Sequence, residues 1–390
     1  MDQFISPKKI YHGEGYLSKL GDIVKDLNAK NIFVLTDPML KKLGVIDPVL
    51  ELLEKSNVKV DVVTDVVPEP PVEIGNQVVD AVREKQPDLV IGIGGGSALD
   101  LAKTAAVFAK NDGRVEDYLN LSGTRKLVNK SLPKVLIPTT AGTGAEVTDI
   151  AVFSLENTKD VITHEYLLAD YAIVDPTLTY TLPPRVTAAS GIDALTHAIE
   201  AYTSVHATPL TDTLALDAMK KIVGSIRTAV WNGKDKHARE QMALGSLMAG
   251  LSFYNAGVAG VHGLAYPLGG LFKLPHGESN AVLLPYVYDH IWMACIDKMK
   301  HVADAFPLPT VGKTDREIAQ LVVRSLLDLI KDVGLPTTIR DYHIQSSDID
   351  LLTENGIKQK RLLSRSPKAL DENAVRQIYM NAYEGVLQNS

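Results

Sequence analysis

The sequence predicts two domains, an α/β domain built on a mostly parallel sheet followed by an all-helical domain. Three observations predict it. The chain has 390 residues, more than one hydrophobic core comfortably organises. In the first half, short continuous apolar runs alternate with amphipathic stretches, the pattern of buried parallel strands covered by helices. From Arg185 onward the apolar positions recur with a period near 3.6, and β-branched runs become scarce. The boundary falls at Thr181-Leu182-Pro183-Pro184, where two prolines interrupt any helical ladder and suggest a linker. The expected domains are residues 1–184 and 185–390.

The strands are read as Asn31–Thr36 (NIFVLT), Val58–Val63 (VKVDVV), Leu89–Ile93 (LVIGI) and Val135–Ile137 (VLI). Each is shorter than a helix, and the first is closed by the turn pair Asp37-Pro38. Val72–Gln86 carries apolar residues at helical spacing between two of them. The second half gives long helices over Thr187–Thr203, Asp212–Val230, His237–Leu251 and Asp315–Val333. No internal repeat or low-complexity tract interrupts the chain. Gln388 to Ser390 are expected to fray.

Composition narrows the function classes. Hydrophobic residues make up 45% and charged residues 22%, the balance of a soluble globular protein with a large core. The net charge is −7, and Lys and Arg are scattered without a long basic run. Neither nucleic acid nor an anionic membrane surface is therefore an expected partner. The single cysteine, Cys295, excludes an internal disulfide and lies in an apolar stretch, as a buried structural thiol does. The first twenty residues lack a signal pattern, and no apolar run reaches the ~18 residues of a membrane span. A cytoplasmic location follows as the expectation.

Two loops at strand ends point to a nucleotide. Leu89–Ile93 runs into Gly94-Gly95-Gly96-Ser97 and then into a strong helix former, ALDLAKTAAVFA. Strand, glycine turn and helix in that order bring backbone N–H groups and the positive end of a helix dipole against a pyrophosphate. Ser97 can cap that helix or bind a phosphate oxygen. The spacing is not the dinucleotide fingerprint G-x-G-x-x-G, and a glycine turn without a ligand is the alternative. The second loop, Pro138-Thr139-Thr140-Ala141-Gly142-Thr143-Gly144, follows Val135–Ile137 with hydroxyl donors at another strand end, where open α/β sheets bind ligands. Asp37 closes the first strand. There it either accepts bonds from ribose hydroxyls, which favours NAD over NADP, or serves the Asp-Pro turn.

A metal set is the other signal. Asp193 and His197 lie four apart in SGIDALTHAIEAYTS and share one helical face. The alternatives are a carboxylate in the first helical turn, three residues after Ser190, and a hydrogen-bonded core histidine. His262 sits among small residues in GVAGVHGLAYPLGG, and His276 in a loop, LPHGESNA, that opens into an apolar helix at Ala281–Tyr288. One carboxylate with three imidazoles suits Fe²⁺ or Zn²⁺ better than Ca²⁺ or Mg²⁺.

These stretches resemble the iron-containing (group III) alcohol dehydrogenase family. The resemblance is carried by GGGSALDLAK (94–103), PTTAGTGAEVT (138–148), DPTLTYTLPPRVTAASGIDALTHAIEAYTS (175–204) and GVHGLAYPLGGLFKLPHGESNA (260–281), in the family's order. It implies the two-domain architecture shared with dehydroquinate synthase, with NAD(H) and Fe²⁺ (or Zn²⁺) as cofactors and a homodimer or larger assembly. It carries the metal ligands onto Asp193, His197, His262 and His276. It carries the pyrophosphate contacts onto Gly95, Gly96 and Ser97, beside Gly94 and Asp100. Thr139, Thr140 and Thr143 fall in its second cofactor loop. Lys159 looks like the family's lysine near the nicotinamide ribose, and Leu178 and Leu182 fall in its stretch approaching the cofactor. Phe253 resembles a pocket position, bordered by Asp149 and Ile150. Two positions depart from the family. Many members carry a second histidine four residues after the third ligand, where this chain has Tyr266, a poor proton shuttle at neutral pH because its ordinary pKa is about 10. Glu69 stands where some members have Asn.

The implied reaction is hydride transfer between nicotinamide and the carbinol carbon of a small primary alcohol, reversible to the aldehyde. Rival readings are a reductase of a short aldehyde bearing an acidic group, a hydroxyacid–oxoacid transhydrogenase of the same family, and, more remotely, a dehydroquinate synthase-like lyase. The last needs a Lys/Arg cluster, whereas the helix carrying Asp193 and His197 is rich in Ala, Leu and Thr.

Overall fold

A computed structural model describes residues 3–156 and 158–390. The chain separates into two units, Ser6–Tyr180 and a helical unit of Thr181–Ser390 that also takes in the segment ending at Ile5. In the first unit the elements are β1 (Lys9–His12), α1 (Lys19–Asp26), β2 (Asn31–Thr36), α2 (Pro38–Lys42), α3 (Asp47–Lys55), β3 (Lys59–Val63), α4 (Val72–Lys85), β4 (Leu89–Gly94), α5 (Gly96–Phe108), β5 (Lys134–Pro138), β6 (Ile150–Ser154), β7 (Lys159–Thr163) and β8 (Tyr171–Val174). Six of the strands make a parallel sheet in the order β1-β8-β5-β4-β2-β3, and β6 and β7 form a separate antiparallel pair.

The strand period of two explains why the central strands are apolar throughout. Ile32, Val34, Ile91, Ile93, Val135 and Ile137 face one side and pack with Leu20 and Ile23 of α1 and Val49 and Leu53 of α3. Phe33, Leu35, Val90 and Leu136 face the other side and pack with Val78 and Val82 of α4 and Leu99 and Phe108 of α5. Each such side chain, fully buried, contributes about 1.5–3 kcal/mol. In the ladder between β4 and β5, Gly94 stands opposite Pro138, so the loops after these two strands start at the same level. The four sequence-read strands are all present. β1 and β8 span only four residues each and show no readable period, and the β6–β7 pair lies outside the sheet.

The helical unit runs α6 (Pro184–Thr203), α7 (Pro209–Trp231), α8 (Lys236–Ala256), α9 (Gly260–Phe272), α10 (His276–Ile291), α11 (Ile296–Ala305), α12 (Asp315–Asp332), α13 (Ile349–Gly356), α14 (Lys360–Leu363) and α15 (Glu372–Glu384). α6 is its centre: it packs on α7, α8 and α10, and fifteen of its twenty residues are buried. The two units divide between Tyr180 and Thr181, just before the expected Thr181–Pro184 stretch. Pro183 is the cap of α6 and Pro184 its first residue, where a missing N–H costs nothing. α10 begins at His276, five residues before the expected apolar start, with Pro275 as its extended cap. The segment ending at Ile5 is tied to α8: the Ile5 N–H donates to Asn255 Oδ1 at 2.7 Å, and Asn255 Nδ2 donates to the Ile5 carbonyl at 2.9 Å.

The C-terminal residues are held rather than frayed, because the N–H groups of Gln388 and Asn389 donate to the buried carboxylate of Asp289. Cys295 is buried, and burial pushes its thiol up to about 12, so it is an inert structural group. Among the described residues no single helix is long and apolar enough to cross a membrane.

Candidate metal centre

α6 starts at Pro184, which puts Asp193 in its third turn, away from the helix end. A carboxylate serving the helix dipole is thereby excluded. Asp193 and His197, one turn apart, are both buried. His262 comes from the first turn of α9, and His276 is the first residue of α10. One ligand atom from each of these four residues lies within 4.8 Å of every other. His262 Nε2 is 3.6 Å and His276 Nε2 3.7 Å from Asp193 Oδ1. The rings of His197 and His262 stack with centroids 4.5 Å apart, and those of His262 and His276 are 5.3 Å apart.

The close approach of α10 depends on Gly277. A Cβ there would lie 2.4 Å from the backbone oxygen of Ala189 on α6, and a backbone atom cannot give way. Beside it, Glu278 receives both Arg185 Nε and Nη2 at 2.7 Å and the Tyr342 hydroxyl at 2.9 Å, which fixes the first turn of α10 against α6.

Two further residues hold the set in place, and neither was read from the sequence. Glu200, on α6, meets His262 Nδ1 at 2.6 Å and accepts the Val261 N–H at 2.6 Å. Its carboxylate thus caps the orphan donors of α9 and accepts the hydrogen bond of Nδ1–H, turning Nε2 toward Asp193. A signal existed: Glu200 lies three residues after His197 and seven after Asp193, on the same helical stripe. Asn280, one turn into α10, donates to Asp193 Oδ1 at 2.7 Å.

The electrostatics describe a site made for a cation. Burial pushes the Asp193 carboxyl up, but His197 and His276, with His262, outweigh it and hold it well below the ordinary carboxylate range. Burial pulls the His262 imidazole down, but Asp193 and Glu200 override it and raise it to about 9. His262 Nε2 is buried with no hydrogen-bond partner among the described residues. Three imidazoles crowded on one carboxylate, with such a nitrogen facing it, fit a divalent ion that accepts mixed N and O donors.

A pH dependence follows. In the metal-free protein, His262 titrates above its unfolded value of about 6.5. Its contribution to stability is therefore complete below that value and lost as pH rises through about 9. A metal ion must displace the same proton. Affinity for Zn²⁺ is expected to climb by up to about tenfold per pH unit over that window, as read by chelator competition. A flat profile, unchanged in His262→Gln, would remove this account.

Around the centre, Phe253 on α8 stacks on His197 with centroids 4.2 Å apart and an interplanar angle of 17°. Tyr266, one turn beyond His262 on α9, has its ring 6.4 Å from that of His276. Leu182 lies just before α6, its carbonyl accepting from Arg239.

In the α/β unit the two expected cofactor loops are side by side. β4 ends at Gly94 and α5 begins at Gly96, with Gly95 as cap. The Thr139 N–H donates to the Gly94 carbonyl at 3.0 Å, and the Thr143 side chain lies 3.0 Å from where a Cβ on Gly96 would sit. Thr140 stands likewise 3.8 Å from Gly95. Ser97 Oγ accepts the Glu69 N–H at 3.1 Å, and Glu69 Oε1 accepts from Lys159 Nζ at 2.8 Å, so Lys159 and Ser97 meet through the residue at the family's Asn position.

The other sequence-read residues of this unit have partners within it. Asp37 caps α2, accepting the Met39 and Leu40 N–H groups on Oδ1. Asp100 is buried, with Oδ1 taken by Lys103 and Oδ2 by the Val152 N–H, so it ties α5 to β6. Leu178 is buried in the core face that holds Ile137. Asp149 and Ile150 lie at the start of β6, where the Ile150 carbonyl accepts from Lys103.

Comparison with known proteins agrees along the whole length. The family described as iron-containing alcohol dehydrogenase matches residues 7–176, and the C-terminal part of the Fe-containing alcohol dehydrogenase family matches residues 187–383. The chain is 54% identical to long-chain-alcohol dehydrogenase 1 of Geobacillus thermodenitrificans (strain NG80-2), over 99% of this chain and 98% of the relative. It is 34% identical to the NAD-dependent methanol dehydrogenase of Bacillus methanolicus, over 98% and 100%. The crystal structure of a 1,3-propanediol oxidoreductase superposes with a TM-score of 0.94 at 33% identity, covering 98% of this chain and 100% of the other. With two family matches, these identities and a four-residue N/O cluster at its centre, the chain belongs to the iron-containing alcohol dehydrogenase family.

Proposed function

We propose that the chain is a NAD-linked, divalent-metal-dependent dehydrogenase that interconverts a primary alcohol, small around its reacting carbon, and its aldehyde. The convergence of Asp193, His197, His262 and His276 carries this reading. We take these four as ligands of one Fe²⁺, with Zn²⁺ accepted by the same donors. When bound, the ion supplies a Lewis acid for the substrate oxygen and NAD supplies the hydride acceptor.

The chain's own residues bind and orient. Asp193 brings the one negative charge to the donor set, and Asn280 fixes its oxygen. Glu200 accepts the hydrogen bond from Nδ1–H of His262 and so keeps that proton on Nδ1, which leaves Nε2 as the atom offered to the ion. Phe253, flat on His197, closes one side of the centre to bulk and water, which supports a substrate that is small at the reacting end. Tyr266, its ring 6.4 Å from that of His276, carries a phenol, whose ordinary pKa of about 10 suits it to donating a hydrogen bond rather than to shuttling a proton at neutral pH. In the α/β unit, the first N–H groups of α5 at Gly96 and Ser97 suit a pyrophosphate, and Thr139, Thr140 and Thr143 supply further donors beside them. Asp37 at the end of β2 suits a ribose without a 2′-phosphate, which favours NAD, as does the name of the methanol dehydrogenase relative. The name of the 54% relative favours a second reading, in which the alcohol carries a long alkyl chain away from the reacting carbon.

The test is NADH absorbance against alcohols and aldehydes of graded length, using anaerobically purified protein reloaded with Fe²⁺ or Zn²⁺. Turnover that needs the metal and disappears in His276→Ala is expected. Stoichiometric metal with no turnover on any member would refute the proposal, and the chain-length optimum separates the two readings.

A further inference from the structure

Residues 357–370, which include α14, fold around an open pocket of about 350 Å³ in the helical unit. Ile357, Leu363 and Leu370 wall it, and Lys360 and Ser366 stand in its lining. The volume is at the lower end of the range for small-molecule sites, roughly 300–1,000 Å³. The segment holds five cations (Lys358, Lys360, Arg361, Arg365 and Lys368) and no carboxylate, on a chain whose net charge is −7. Lys358 pairs with Glu354, and Lys368 donates to the His290 carbonyl. Lys360 and Arg361 are exposed, and their side chains have no hydrogen bond or ion pair among the described residues.

Ser366 is the unusual member of the lining. It is buried, and its Oγ has no hydrogen-bond partner among the described residues. Its backbone is held, because its N–H donates to the Leu363 carbonyl at 3.1 Å. Ser364, also in the lining, donates its hydroxyl to the Arg361 carbonyl at 3.0 Å, so a carbonyl partner was within reach of one serine and not of the other. A buried hydroxyl left unpaired costs free energy, and an acceptor from outside the chain removes that cost.

The pocket walls stand apart from the metal ligands. Leu370 and Leu363 pack on α9 at Gly260 and Gly263: a Cβ at either glycine would lie 2.9 Å from Leu370 Cδ1 or 3.1 Å from Leu363 Cδ2. At about 100° per residue, the two glycines lie about 60° apart around the helix. His262 leaves α9 about 100° from Gly263 and about 160° from Gly260, on another side.

We propose that this pocket is a second binding site, separate from the metal centre, for a medium-chain alkyl carboxylate. Ile357, Leu363 and Leu370 cover the alkyl chain, Ser366 Oγ donates to the carboxylate, and Lys360 supplies the opposite charge. Arg361 raises the local concentration of anions. At the ~30 Å³ a water-sized group occupies in a liquid, the pocket takes roughly ten non-hydrogen atoms, as many as octanoate has. The site does not depend on the reaction proposed above.

Calorimetric titration of octanoate, octan-1-ol and butanoate into the full chain, metal-loaded and metal-free, is the test. One octanoate per chain is expected in both forms. Octan-1-ol is expected to bind about tenfold more weakly for want of the charge, and butanoate about 100-fold more weakly for want of four methylenes. Ser366→Ala is expected to weaken octanoate by about 10- to 100-fold. Lys360→Gln should weaken it by about two- to fivefold and flatten its salt dependence. Ala369→Trp fills the pocket from an exposed position in its lining and should abolish binding. Octan-1-ol bound as tightly as octanoate would overturn the inference. So would octanoate binding that requires the metal, which would place it at the centre. Binding unchanged in both Ser366→Ala and Ala369→Trp, on protein shown to be folded by circular dichroism, or no saturation at millimolar octanoate, would overturn it as well.

Discussion

Asp193→Asn is expected to weaken Zn²⁺ binding by about 10²- to 10³-fold, the largest effect of a single change at the centre. Asn keeps the volume and can still accept the bond from Asn280. What it loses is the one negative charge among the four donor residues, three of them buried. Breaking a buried charge pair costs about 3–5 kcal/mol, and each 1.4 kcal/mol is a factor of about ten in affinity. The metal-free variant also loses the partner that helps raise His262. Chelator competition with Zn²⁺, on protein shown to be folded by circular dichroism, reads the effect. Affinity within about threefold of the wild type would show that Asp193 is not a ligand.

Glu200→Gln is expected to lower metal affinity by about 10- to 100-fold without touching a ligand atom. The 2.6 Å contact to His262 Nδ1 and the 2.6 Å bond from the Val261 N–H come from the same carboxylate, so ring orientation and helix start are fixed together. Gln retains a single acceptor and must release one of them. A merely structural role would lower the melting temperature and leave the pH profile in place. A positioning role moves the profile: without the Glu200 charge, His262 is raised less, and the rise of Zn²⁺ affinity with pH levels off at lower pH than in the wild type. An unshifted profile with unchanged affinity would reduce Glu200 to a helix cap.

The parts of this architecture legible in the sequence were those with a local pattern. β2, β3, β4 and β5 were found because buried parallel strands are apolar on both faces. The glycine turn at Gly94–Gly96 declared itself by its place between a strand and a helix. Asp193 and His197 were legible as a pair because four residues make one turn. The rest was carried by partnerships distant in the chain. Glu200 acts on His262, 62 residues away, and Lys159 meets Glu69 across 90. Asp100 ties α5 to β6 by accepting the Val152 N–H, 52 residues away. The cations of residues 357–370 disappear in a net charge of −7, because a sum over the chain carries no information about where charge is concentrated.

The bond between Ile5 and Asn255 joins residues 250 apart, while everything from Ser6 to Tyr180 belongs to the other unit. The α/β unit is thus topologically an insertion near the start of the helical one. During synthesis the residues of the inserted unit are all made once Tyr180 has been added. The tether at Ile5 must then wait, unpartnered, until α8 exists. Closing so long a loop adds little beyond the cost of a shorter one, because that entropy grows only logarithmically with length. Order of completion, rather than strength, distinguishes the two halves on the ribosome: the nucleotide-type half can fold as it is made, and the metal-ligating half can finish only after its own first few residues have been held in reserve.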